Sequence, residues 1–177
     1  LWRAGPTGSS ADLELAELTN SIPSDVRLFD SNFDGHTDRL YVGDMRGQIF
    51  RFDLAATTTA MSGTGLRLAN LGGTTEADNR RFFYPPDVVL TQHQGTYISL
   101  NIGSGYRAHP LNPLLANGNL GDLVNDRFYS LRDPYVVGAI PTGTTVTTIT
   151  DGASGNLFDA TSSLVTSAAD ITSLSNS

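Results

Sequence analysis

Nine residues constrain this chain more than any other stretch: Asp30-Ser-Asn32-Phe-Asp34-Gly35-His36-Thr-Asp38. Counted from Asp30, oxygen-bearing side chains stand at positions 1, 3, 5 and 9, with glycine at position 6. That spacing fits a chain curling around a hard cation, because alternate side chains turn inward and the glycine accepts a positive φ. Calcium takes roughly 6–8 oxygens at about 2.3–2.6 Å. The reading gives it Asp30, Asn32, Asp34 and Asp38 through their side chains and His36 through its backbone carbonyl. Three carboxylates held this close repel one another without a cation. The alternative is an Asp/Asn/Gly-rich hairpin turn that binds nothing.

The loop is not an EF-hand. That motif needs a bidentate Glu at position 12 and a helix on each side. Position 12 is Tyr41, and the same missing acid argues against a dockerin-type loop. The flanks, Val26-Arg-Leu-Phe29 and Arg39-Leu-Tyr-Val42, are rich in the β-branched and aromatic residues of strands. Strands are therefore expected near 26–30, 39–44, 47–54 and 65–71, with a tight turn at Asp44-Met-Arg-Gly47. Together they make a four-stranded antiparallel meander, the unit of a β-propeller blade. A second group is expected at 82–91, 96–102 and 127–131, and a last strand at 145–150. A long Gly/Asn/Pro-rich loop spans 103–126. Residues 10–18 have the makings of a short helical turn.

The expectation is an all-β chain: a partial propeller of about two antiparallel blades. Residues 1–22 form a poorly defined lead-in, 23–140 the blades, and 141–177 a last strand and a Ser/Thr-rich tail. Eighteen glycines and eight prolines in 177 residues suit loop-rich β structure. The formal charge of −7 and the absence of a basic stripe argue against nucleic acid as a partner. No cysteine is present, which excludes disulfides and thiolate chemistry. No apolar run of 18 residues suggests a membrane span. The chain begins at Leu1 and is expected to be a piece of something longer.

Other motifs carry less. Gly103-Ser-Gly105-Tyr-Arg-Ala108 fits a dinucleotide fingerprint, but Pro110 and Pro113 follow where a helix is needed. His36, His93 and His109 lack the spacing of a zinc site. No catalytic acid–base pair stands out, so an enzyme is not expected. Asp44 and Asp53 are expected to pair with Arg39, Arg46 and Arg51 across strands, each worth a few tenths of a kcal/mol. Phe82-Phe-Tyr84 reads as packing between blades, with a binding patch as the alternative.

The stretch from Asp30 to Leu54, DSNFDGHTDRLYVGDMRGQIFRFDL, resembles the C-terminal propeller of the PilY-type biogenesis factor and tip adhesin of type IV pili. Asn101-Ile-Gly-Ser-Gly-Tyr-Arg-Ala-His-Pro110 and Asp126-Arg-Phe-Tyr-Ser-Leu-Arg-Asp133 resemble further stretches of that domain. The similarity runs from about residue 24 to 159. The resemblance implies a quinoprotein-like propeller in an exported protein of the bacterial cell surface or pilus tip, reached through the periplasm and outer membrane. It implies no catalytic residue, and calcium at Asp30, Asn32, Asp34, His36 and Asp38 that modulates pilus extension, retraction, twitching and attachment. The implied partners are pilins or minor pilins, and a host surface through a separate adhesive module. Gly43-Asp-Met-Arg-Gly-Gln48 taken alone is similar to pyrroloquinoline quinone-dependent dehydrogenases, the alternative reading. That chemistry expects a tryptophan-rich docking pattern, whereas Trp2 is the single tryptophan.

Overall fold

A computed structural model describes residues 2–56, 61–75, 77–92, 94–107, 124–141, 143–152 and 154–161. Its strands, in chain order, are β1 (Ala4–Gly5), β2 (Leu13–Glu14), β3 (Arg27–Phe29), β4 (Arg39–Gly43), β5 (Gln48–Ala56), β6 (Met61–Asn70), β7 (Asp87–Gln92), β8 (Thr96–Gly103), β9 (Phe128–Asp133) and β10 (Ile149–Thr150). The described residues contain no helix, so the chain is all-β. β3 to β6 form the expected antiparallel meander, each strand paired with the next. β10 adds to the outer edge of β6 in parallel, giving the order β10-β6-β5-β4-β3. β7, β8 and β9 form a separate antiparallel sheet. Neither sheet closes on itself.

Two expectations are corrected. Residues 10–18 hold β2 rather than a helical turn; β2 pairs in parallel with β1. Leu13 and Leu15, two residues apart, both pack against the Phe50/Phe52 cluster, so burial selects period 2 there. The strand expected at 145–150 shrinks to Ile149–Thr150. His93, His109 and residues 108–123 of the long loop lie outside the described residues.

β5 is buried on both faces. Phe50 and Phe52 lie against Val42 and Leu18, with Trp2, Leu13, Leu15 and Leu40 packed around them. The Trp2 and Phe52 rings meet edge to face at 6.0 Å. On the other face Ile49 joins Tyr41 and Leu68 to pack against Phe82, Ile98, Leu100, Ile102, Tyr129 and Leu131, so the two sheets share one core. Each large apolar side chain fully removed from water contributes about 1.5–3 kcal/mol. A register shift between Ile49 and Phe50 marks a β-bulge beside the 44–47 turn. In that turn Asp44 Oδ1 accepts the N–H groups of Arg46 and Gln48, and Gly47 takes φ 75°. A side chain there would strike the Gly72 backbone, 2.7 Å from the Cβ position.

Candidate metal centre

The loop at residues 30–38 joins β3 to β4 and is closed by its own side chains. Asp30 Oδ1 accepts the Phe33 N–H at 2.6 Å and the Asp34 N–H at 3.3 Å, while Oδ2 accepts the Gly35 N–H at 2.8 Å. Asn32 Oδ1 accepts the Asp34 N–H at 2.9 Å. Asp34 Oδ1 accepts the His36 N–H at 2.8 Å. These are successive Asx-type turns, which aspartate and asparagine form because their short side chains reach the backbone two or more residues ahead. They need left-handed backbone at two points, met by Gly35 at φ 88° and by Phe33 at φ 62°. A bulky residue rarely adopts the latter; Phe33 does so with its ring 73% exposed.

The turns bring Asp30, Asn32 and Asp34 into one hydrogen-bonded cluster, in which Asn32 Nδ2 donates to Asp34 Oδ2 at 3.1 Å. Asp38 is held separately. Its Oδ2 accepts both the backbone N–H and the hydroxyl of Ser31, at 2.9 and 2.7 Å. Its backbone joins the sheet, the N–H donating to Phe29 O and the carbonyl accepting from Leu54 N. The exposed His36 ring contacts Asp34 Oδ1 through Nδ1 at 3.2 Å. Among the described residues no three His, Asp or Glu side chains converge closely enough to hold a metal ion. The donor set is nonetheless all hard oxygen, the kind calcium selects, and both Ser31 bonds fall on one oxygen of Asp38. Hydrogen bonds, first that from the His36 backbone, hold the Asp34 carboxyl below the usual carboxylate range, so it stays ionised into mildly acid solution.

The expected pairing of Asp53 with Arg39 across strands, and with Arg51, is present, but in a buried cluster rather than as weak surface pairs. Arg39, Arg51, Asp53 and Asp133 are all buried, at 1%, 0%, 6% and 0% exposure. Arg39 Nε donates to Asp53 Oδ1 at 2.7 Å, and Arg51 reaches the same carboxylate through Nε and Nη2 at 2.9–3.1 Å. Arg51 Nη1 bonds both oxygens of Asp133, at 2.8 and 2.7 Å. The Tyr41 hydroxyl donates to Asp133 Oδ2 at 2.7 Å. Burial, and then the Asp133 charge, push the Tyr41 pKa far above its ordinary value. The guanidiniums also bond the carbonyls of Tyr135 and Gly138, tying β4 and β5 to the segment after β9. Among the described residues Asp44 has no guanidinium partner: its carboxylate accepts from Gln48 Nε2 and Asn20 Nδ2, and from Arg46 through the backbone N–H. Asp133 was missed from sequence because nothing local shows that it faces Arg51, 82 residues away. The available signal was the charged pair Arg51 and Asp53 on the same strand parity as Ile49.

The Gly103-Ser-Gly105 segment ends β8 and leads into no helix through Arg107, the last described residue there. Ser104 Oγ instead donates to Asp126 Oδ1 at 2.7 Å, and its N–H to Arg127 O. Phe82 is buried in the shared core, as the packing reading expects, whereas Tyr84 is 59% exposed. No helix among the described residues is long and apolar enough to cross a membrane. No protein-family model, curated protein or solved structure matches the chain.

Proposed function

We propose that this chain is a calcium-binding blade segment of a type IV pilus assembly and adhesion factor, without enzymatic activity. One observation carries the calcium reading: a loop between paired strands whose Asx turns hold three of the expected ligands, Asp30, Asn32 and Asp34, in one cluster. Such turns lower the ordering cost of binding, since the backbone is already curled. Asp38 and the His36 carbonyl complete the set, and calcium offsets the repulsion among the three carboxylates. The sequence from Asp30 to Leu54 supports the assignment to a PilY-type, quinoprotein-like propeller, and the antiparallel order of β3 to β6 is what a blade of that kind requires. In this reading the protein is exported and displayed at the cell surface or pilus tip. Calcium occupancy there sets how the loop engages pilins or minor pilins, and so pilus extension, retraction and surface attachment.

Calorimetric titration of chelator-stripped protein tests the metal. Heat and a rise in melting temperature are expected below a few millimolar calcium, the range of extracellular sites. The absence of both effects at that concentration sinks the calcium assignment. Asp34→Ala in the full-length protein tests the cellular role: wild-type twitching and surface pili would remove calcium as a control point.

A further inference from the structure

The chain carries eleven arginines and no lysine, on a formal charge of −7. Among the described residues most of these arginines face a carboxylate, including Arg3, Arg27, Arg39, Arg51, Arg67, Arg80 and Arg127. Arg46, Arg81, Arg107 and Arg132 do not. Arg132 lies 5.0 Å from the Tyr97 ring centre, while Arg81 and Arg107 lie over tyrosine rings together on one ledge beside the end of β8. The Arg81 guanidinium carbon is 4.3 Å from the Tyr106 ring centre, and that of Arg107 is 5.7 Å from the ring of Tyr84. Tyr106 in turn packs on Phe83, with ring centres 5.8 Å apart.

The ledge is held firmly. Phe82, between Arg81 and Phe83, is fully buried, and its N–H donates to Asp44 O at 3.0 Å. The Gly105 N–H donates to Arg81 O at 2.9 Å, tying the two segments together. Arg27 Nε holds Pro86 O at 3.0 Å. Tyr84 and Arg107 nonetheless face solvent. Rigid exposed aromatics beside arginines are the composition of binding hot spots, because they lose little freedom on docking and bring both apolar area and charge.

We propose that the ledge formed by Arg81, Phe83, Tyr84, Tyr106 and Arg107 is a docking surface for an acidic, aromatic-bearing protein segment. Charge complementarity selects the occupant: two of the four arginines that have no carboxylate partner among the described residues share this one ledge, on a chain of formal charge −7. A nucleic acid is disfavoured, since two arginines neutralise few phosphates. A partner carboxylate bonds the free edge of a guanidinium whose face rests on a tyrosine, and a partner ring packs on the exposed edge of Tyr84.

A random peptide display library panned on the folded chain tests this without a named partner. Recovered peptides should be enriched in Asp or Glu beside aromatic residues, and their binding should weaken with salt. Arg107→Gln and Tyr84→Ala, both at exposed positions, should each weaken the recovered peptides by about fivefold. The Arg81→Gln/Arg107→Gln double variant should abolish them, with the melting temperature checked against the wild type. No enrichment, enrichment in basic peptides, or undiminished binding to both single variants would overturn the proposal. So would an oligonucleotide or a sulfated polysaccharide binding more tightly than the peptides and losing that binding in the double variant.

Discussion

Replacing Asp133 by alanine should cost far more than any surface ion pair is worth. The side chain is fully buried and accepts from Arg51 Nη1, the Tyr41 hydroxyl and the Tyr135 N–H. Without it Arg51, itself at 0% exposure, keeps Asp53 but loses its second carboxylate, and two further donors lose their acceptor. Breaking one side of a buried pair costs about 3–5 kcal/mol, because the remaining charge stays desolvated. With about 2–4 °C lost per kcal/mol in a chain of this size, the melting temperature should fall by roughly 10 °C. Urea unfolding measures the loss directly, and a single transition seen by several probes would show both sheets unfolding together. Asp87→Ala is the control: its pair with Arg27 spans 3.8 Å between largely exposed side chains, and should change stability by less than about 0.5 kcal/mol. A double-mutant cycle of Asp133→Ala with Arg51→Met should give a coupling energy of about 2 kcal/mol or more. A loss below about 1 kcal/mol for Asp133→Ala would refute the reasoning and return these charges to the class of weak surface pairs.

Asp34→Ala should abolish the calcium-dependent rise in melting temperature, which for the wild type at a hundredfold excess over Kd reflects about 2.7 kcal/mol; an unchanged rise would place the site elsewhere. Hydrogen exchange at residues 30–38 should slow on adding calcium while the flanking strands keep their protection, and equal exchange in both states would count against a ligand-ordered loop. Burial and a neighbouring aspartate raise the pKa of both Tyr41 and Tyr129. Their neutral forms stabilise the fold below the ordinary tyrosine pKa of about 10, and that contribution is lost as pH climbs above it. Denaturant titrations across that window should show stability falling, and a flat profile would contradict the burial. Gly47→Ala should destabilise by about 1–3 kcal/mol in thermal melts, since φ is 75° and the added carbon meets Gly72 at 2.7 Å.

The meander was legible because its signals are local. Asp30 through Asp38 announces a turn, the flanking residues are rich in β-branched and aromatic side chains, and Asp44-Met-Arg-Gly47 supplies a glycine where positive φ is needed. The lead-in was misread because Leu13, Leu15 and Leu18 are ambiguous between periods, and only contact with Phe50 and Phe52 decides between them. The charge cluster was seen as residues but not as a place. Arg39, Arg51 and Asp53 were expected to pair, and do, but as weak pairs; their burial depends on a second sheet that arrives some eighty residues later. The turns of the 30–38 loop were legible from its Asp, Asn and Gly spacing, yet Asp38's attachment to Ser31 was not, since any hydroxyl nearby competes for a carboxylate.

The two-sided burial of β5 has a consequence for assembly. Aromatic and charged side chains alternate along it, so the strand carries a parity check. Sliding the strand by one residue would press Arg51 into the pocket built for rings by Trp2 and Leu18, and would set Phe50 or Phe52 before Asp133, where only a cation fits. Most half-buried strands punish such a slip on one side alone. Here both neighbours reject the same mistake, one for want of a hydrogen-bonding partner and the other for want of a counter-charge. A chain that collapses in the wrong frame is thereby left with errors on two surfaces at once, and the correct pairing is reinforced from both.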